Sequence, residues 1–179
     1  MWPPGHVAVA YIVYWISRRR QRAVDVVVPP SVGSLFALFV GAVGPDLVDK
    51  PLSWYLGILP TGRSLAHSLV TIVPVAVVVL LVARRYDRGD WGVAFVIGAI
   101  SHVFLDAVSV LWDPESSATF LLWPILPVEP YPEGPPTILG LLSESITDPY
   151  FLTEFAFLAI ALFLWRRDGY PGLELLSRR

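Results

Sequence analysis

Five apolar runs limit what this chain can fold into. They are Val7 to Ile16 (to about Pro4 with its N-terminal end), Val32 to Val43, Leu65 to Ala83, Trp91 to Trp112, and Tyr150 to Trp165. About 20 apolar residues cross a hydrocarbon layer of about 30 Å. The third and fourth runs come close to that length or exceed it. The second reaches it only from about Val26 to beyond Leu47. Backbone groups facing lipid must be satisfied within the segment, so such runs are read as helices. Trp91, Trp112, Tyr150 and Trp165 stand at run ends, where amphipathic rings suit the membrane interface.

Composition agrees. The 179 residues are 55% hydrophobic and 16% charged, with mean hydropathy +0.61, which is more apolar than soluble domains. The expected fold class is an all-α, polytopic membrane helix bundle with about five transmembrane helices in one domain, 1–179. Net charge is -2, which offers nucleic acid no basic surface. Cysteine is absent, so disulfides and thiolate metal sites are excluded. The start of the chain lacks the basic stretch of a cleaved signal, so the first run is expected to be retained.

Arginines orient the runs. Arg18, Arg19, Arg20 and Arg22 follow the first, Arg84, Arg85 and Arg88 the third, and Arg166, Arg167, Arg178 and Arg179 the fifth. If every run spans, eleven of the thirteen basic residues share one side, leaving Lys50 and Arg63 on the other. The positive-inside rule then predicts a multi-pass cell-membrane protein, N-terminus outside and C-terminus cytoplasmic. The loop 113–149 carries eight of the seventeen prolines. Within it, Thr119 to Val128 is apolar. Pro124 and Pro127 oppose a long helix, so this stretch is expected to be interfacial or re-entrant.

On that topology the outer layer collects unusual residues. Asp46 and Asp49 close the second run at i and i+3, on one helix face. His6 opens the first run and His67 the third. His102 and Asp106 lie at i and i+4 in the outer half of the fourth. Counted inward from Trp112, they sit about 15 Å and about 9 Å deep. Intramembrane ionisable residues are costly and mark functional sites. Imidazole with carboxylate, and no thiolate, is a ligand set for zinc, manganese or iron. Six candidates suit one or two divalent ions, zinc or manganese, with some residues orienting the others. An open coordination position would hold a nucleophilic water. Asp49 is the candidate general base and Arg63 the candidate clamp for a substrate anion.

Residue type leaves other readings open. His6 also reads as an interfacial histidine, and His67 beside Ser64 and Ser68 as a helix–helix contact. Asp46 and Asp49 also read as a helix cap or as partners of Lys50, and Arg63 as the partner of a loop acid. Glu154 either joins the site or faces the bundle interior. Gly41, Gly44 and Gly98 read as close-packing positions. Two rival functions remain: a cation pathway, which predicts polar residues continuing to the inner face, and a scaffold whose polar layer sets helix register.

Four motifs in order carry a resemblance: Gly5-His6, Gly44-Pro45-Asp46-Leu47-Val48-Asp49, Arg63-Ser64-Leu65-Ala66-His67-Ser68, and Ser101-His102-Val103-Phe104-Leu105-Asp106. Together they resemble the membrane-bound metal-dependent hydrolase family, also described as LexA-binding, inner-membrane-associated hydrolases. The likeness covers residues 5 to 128. Where the family pattern often has a histidine before the arginine, Gly62 stands here. The resemblance implies a metal-dependent hydrolase. A more distant likeness to zinc-dependent phospholipase C-type helical enzymes implies a phosphoester. The expected function is metal-activated-water hydrolysis near the extracytoplasmic face, with membrane lipid as surroundings and a lipid or phosphoester as substrate.

Overall fold

Prolines and hydroxyl caps decide where the helices begin. The computed structural model describes residues 2–20, 29–111, 117–131, 136–146 and 148–173. Helix α1, Pro3–Arg20, starts on two prolines, which fit a first turn whose N–H groups have no partner. Helix α2, Val32–Lys50, is capped by Ser31, whose hydroxyl accepts from Ser34 N at 3.1 Å. A wider π turn, Pro51–Tyr55, carries it on. Helix α3, Leu69–Arg85, is capped by Ser68, and α4 runs Gly89–Val108. Helix α5, Ile138–Ser145, is capped by Thr137, and α6, Pro149–Arg167, by Asp148.

Several bounds differ from the apolar runs. Helix α3 begins at Leu69, not Leu65, because Asp49 accepts from the N–H groups of Ser64, Ala66 and His67 and holds that stretch out of helix. Helix α4 gives way after Val108 to a 3₁₀ turn, Ser109–Leu111. Helix α5 falls inside the proline-rich loop, where no helix was expected. The stretch at Thr119–Leu122 forms a 3₁₀ turn and buries Phe120 with Ile72 and Val103, so part of it packs on α3 and α4. Arg22, Trp112, Arg178 and Arg179 lie outside the described residues.

Among the described residues there is no strand, and three helical stretches are long and apolar enough to cross a membrane: Val32–Tyr55, Gly89–Val108 and Pro149–Arg167. Helix α1 spends its last turn on Arg18, Arg19 and Arg20, and α3 has 17 residues. Apolar side chains stand exposed along these helices, Phe36, Val78, Leu81, Phe155 and Phe163 among them. That is the surface lipid would cover.

Helix α4 packs against α1, α2 and α3, and α1 also packs against α6. Two glycines set the α2–α4 crossing. A Cβ on Gly41 would collide with the Phe95 carbonyl oxygen, and one on Gly98 with the Leu38 carbonyl oxygen. Small residues let helix backbones approach in lipid, where packing replaces the hydrophobic drive. Gly44 is not a packing position, because a Cβ there meets nothing within 4 Å. Ala8, Ala10, Leu38, Ala42 and Ala94 fill the centre of the bundle. At one end of it lie the start of α1 and the ends of α2 and α4. At the other, Ser34 Oγ donates to Asp90 Oδ2 at 2.7 Å, and Tyr11 Oη to Asp168 at 3.0 Å.

Candidate metal centre

His67, His102, Asp46 and Asp106 each bring one ligand atom to a common point, with all four atoms within 4.8 Å of one another. The close α2–α4 crossing makes this possible by laying Asp46 beside His102. Helix α4 carries His102 and Asp106 one turn apart on the same face. His67 arrives from the non-helical stretch before α3. All four are buried.

The tautomers follow from the partners. His102 Nδ1 lies 2.7 Å from the Ala42 carbonyl oxygen, which only accepts, so Nδ1 carries the proton. His67 Nδ1 lies 2.8 Å from Asp49 Oδ2 and donates to it. In neutral imidazoles both Nε2 atoms are then bare acceptors, and they face each other at 3.0 Å. Carboxylate oxygens surround them. Asp46 Oδ1 and Asp106 Oδ2 each lie 3.5 Å from His67 Nε2, and Asp46 Oδ1 lies 3.7 Å from His102 Nε2. Asp46 Oδ1 is buried with no hydrogen-bond partner among the described residues. Bare imidazole nitrogens and carboxylate oxygens facing one another repel unless a positive charge sits among them, and the donor set is one that divalent ions take. The group could therefore hold a metal ion.

The other candidates stand around this point. Asp49 is behind His67 rather than at the common point. It accepts from Ser64 N and Ala66 N at 2.8 Å, from His67 N at 3.3 Å, and from His67 Nδ1. A carboxylate so placed fixes its histidine's tautomer and ring orientation. His6 stacks on His102 with ring centroids 3.9 Å apart, and its Nε2 lies 3.3 Å from Asp106 Oδ1. Arg63 Nε donates to Asp106 Oδ2 at 2.9 Å. Burial alone would lower the guanidinium's pKa, but the neighbouring Asp106, Tyr131 and Asp46 together hold it above the usual arginine value. Lys50 Nζ donates to Asp46 Oδ2 at 2.6 Å, so the Lys50 pairing and the clustering of Asp46 hold together. Glu154 faces the bundle interior. It is buried and accepts from Trp2 N at 2.7 Å, which secures the start of α1 one turn before His6.

The model of the YdjM inner membrane protein family matches residues 1–170. The chain belongs to that family. It is a membrane protein on this ground and on its three long apolar helices. No curated protein and no solved structure matches it.

Two parts of the YdjM-family chain's site escaped the sequence reading. The Ala42 carbonyl is a backbone group, invisible to a search for ligating side chains. Phe120 comes from the proline-rich loop and sets its ring edge-on to His67, centroids 6.3 Å apart. Its only signal was an aromatic within an apolar loop stretch.

Proposed function

We propose that this protein is a membrane-bound metal-dependent hydrolase acting on a lipid or phosphoester at the extracytoplasmic face. One observation carries the reading: four acceptor atoms of Asp46, His67, His102 and Asp106 gather within 4.8 Å while both histidines direct their other nitrogen to an acceptor. These four residues would hold one or two ions, zinc or manganese by donor type. Such an ion supplies a Lewis acid and a bound water with a pKa near 7. Asp49 and the Ala42 carbonyl aim the two imidazoles. His6 packs over His102 and touches Asp106. Arg63 faces Asp106 and is 40% exposed, so it can also meet an anion arriving from outside. Phe120 closes the His67 side against water.

In this reading five helices, α1 to α4 and α6, cross the membrane, with the N-terminus outside and the C-terminus cytoplasmic. The last turns of α1, α3 and α6 carry Arg18–Arg20, Arg84–Arg85 and Arg166–Arg167, and the metal ligands lie towards the opposite helix ends. The bundle centre of Ala8, Ala10, Leu38, Ala42 and Ala94 separates the cluster from Asp90 and Asp168. A cation pathway would need polar groups there, so hydrolysis is favoured over transport.

The test is metal content of the detergent-purified protein by elemental mass spectrometry, beside a His102→Ala, Asp106→Ala double variant. The expected result is about one or two ions in the wild type and none in the variant, with phosphoester or lipid-ester hydrolysis lost in parallel. A wild type that stays metal-free after reloading sinks the proposal.

A further inference from the structure

Beside the metal ligands stands a set of hydrogen-bond donors that the hydrolytic reading uses only through Arg63. We propose that Lys50, Trp54, Gly62, Arg63 and Tyr131 form an oxyanion subsite for the phosphate group of a phosphoester. The assignment rests on the hydrolase reading for what becomes of that phosphate.

Three of these residues converge on Gly62. A Cβ at Gly62 would lie 3.1 Å from Trp54 Nε1, 3.2 Å from Lys50 Cγ and 3.3 Å from Tyr131 Oη. They therefore meet at a residue with no side chain. Trp54 Nε1 is a buried donor with no hydrogen-bond partner among the described residues. Such orphaned donors are rare and call for an acceptor. Tyr131 Oη accepts from Gly62 N at 3.2 Å, which leaves its own proton to donate. Lys50 Nζ uses one bond on Asp46 Oδ2 and lies 5.5 Å from the centre of the Trp54 ring. An ammonium has three donors, so Lys50 has more to offer. Arg63 meets Asp106 through Nε, leaving the rest of its donor fork for another acceptor.

Charge and exposure select the ligand. The Lys50 and Arg63 side chains are 30% and 40% exposed, whereas His67 is 0% and His102 1%. An arriving molecule meets the two cations before the imidazoles. With a divalent ion in place, that ion, Lys50 and Arg63 together outweigh Asp46, Asp49 and Asp106. The site is then net positive and seeks an anion. Indole and phenol donors meeting at Gly62, with the Lys50 ammonium beside the Trp54 ring and Arg63 the next residue along the chain, suit a group with several acceptor oxygens, and phosphate is that group. It can come from a lipid headgroup or from a free phosphoester.

The experiment uses the full chain in detergent, reloaded with manganese. It measures binding of inorganic phosphate and of phosphatidic acid in mixed micelles, with metal content read on the same samples. The variant pair is Trp54→Phe with Tyr131→Phe, neither of which is one of the four residues of the metal centre. The expected result is binding by the wild type and a loss of about tenfold or more in the double variant at unchanged metal content. Gly62→Ala, which fills the cradle from its other side, should lose binding as well. It keeps the test open if the double variant fails to fold. Binding of inorganic phosphate supports the subsite with a soluble source; binding of phosphatidic acid alone supports it with a headgroup source. A wild type that binds neither probe overturns it, as do folded variants that bind like the wild type. Metal-loaded protein that ignores both probes removes the subsite alone. Metal-free protein that still binds phosphate removes the metal centre and keeps the subsite.

Discussion

Asp49 shows how one residue governs a site without reaching its centre. Its carboxylate holds three backbone N–H groups and the His67 ring at once. Asp49→Asn keeps the shape but removes the charge and one acceptor oxygen. Metal affinity should fall about 10- to 100-fold, measured by competition with a fluorescent chelator. Unchanged affinity would mean that Asp49 only shapes the loop. Glu154 works at a similar distance, through Trp2 N. Glu154→Ala leaves that N–H without its charged acceptor and should cost about 1.5–3 kcal/mol, read from thermal unfolding in detergent. At this scale the sequence was partly legible. His102 and Asp106 announced themselves because ionisable residues one turn apart inside an apolar run have few innocent explanations. Asp49 could be found but not assigned, since the backbone groups it satisfies lie up to 18 residues away.

The helices depend on a few positions that periodicity cannot distinguish. Gly41, Gly44 and Gly98 look alike in the sequence. Only Gly41 and Gly98 lie where backbones meet. Gly98→Val forces α2 and α4 apart and should destabilise the protein by about 1–3 kcal/mol or more, with metal binding lost as Asp46 leaves His102. Gly44→Ala meets open space, so it should be neutral or stabilising by up to about 1 kcal/mol through helix propensity. Equal melting temperatures for the two variants would remove the crossing argument. Helix starts are set by Ser31, Ser68 and Asp148, whose side chains accept from the first turns, a role that apolar length does not show. The late start of α3 was hidden, because apolar content at Leu65 and Ala66 says nothing of the carboxylate that holds their backbone.

For the whole molecule, metal and fold should be coupled. An ion that binds only the native state stabilises it by about 2.7 kcal/mol when present at 100 times its Kd. Chelation should therefore lower the melting temperature of the wild type and leave the His102→Ala, Asp106→Ala variant unmoved. Topology has its own check, since the chain lacks cysteine. Leu56→Cys, 63% exposed beside the cluster end, should react with an impermeant maleimide in intact cells. Tyr86→Cys, 72% exposed beside Arg84 and Arg85, should react only after permeabilisation. The reverse pattern would invert the protein in its membrane.

The sequence by itself determined that the chain is helical and membrane-bound, and which residues share one end of the bundle. Those properties follow from local apolar length and from arginine placement, which act on each segment separately. The tertiary structure alone decided the centre's wiring. It set which imidazole nitrogen faces inward, put Asp49 behind His67, joined His102 to a carbonyl 60 residues away, and gathered Trp54 and Tyr131 at Gly62. Those outcomes depend on how closely α2 and α4 cross and on where a loop returns. They are distances between segments, and no pattern along one segment encodes them.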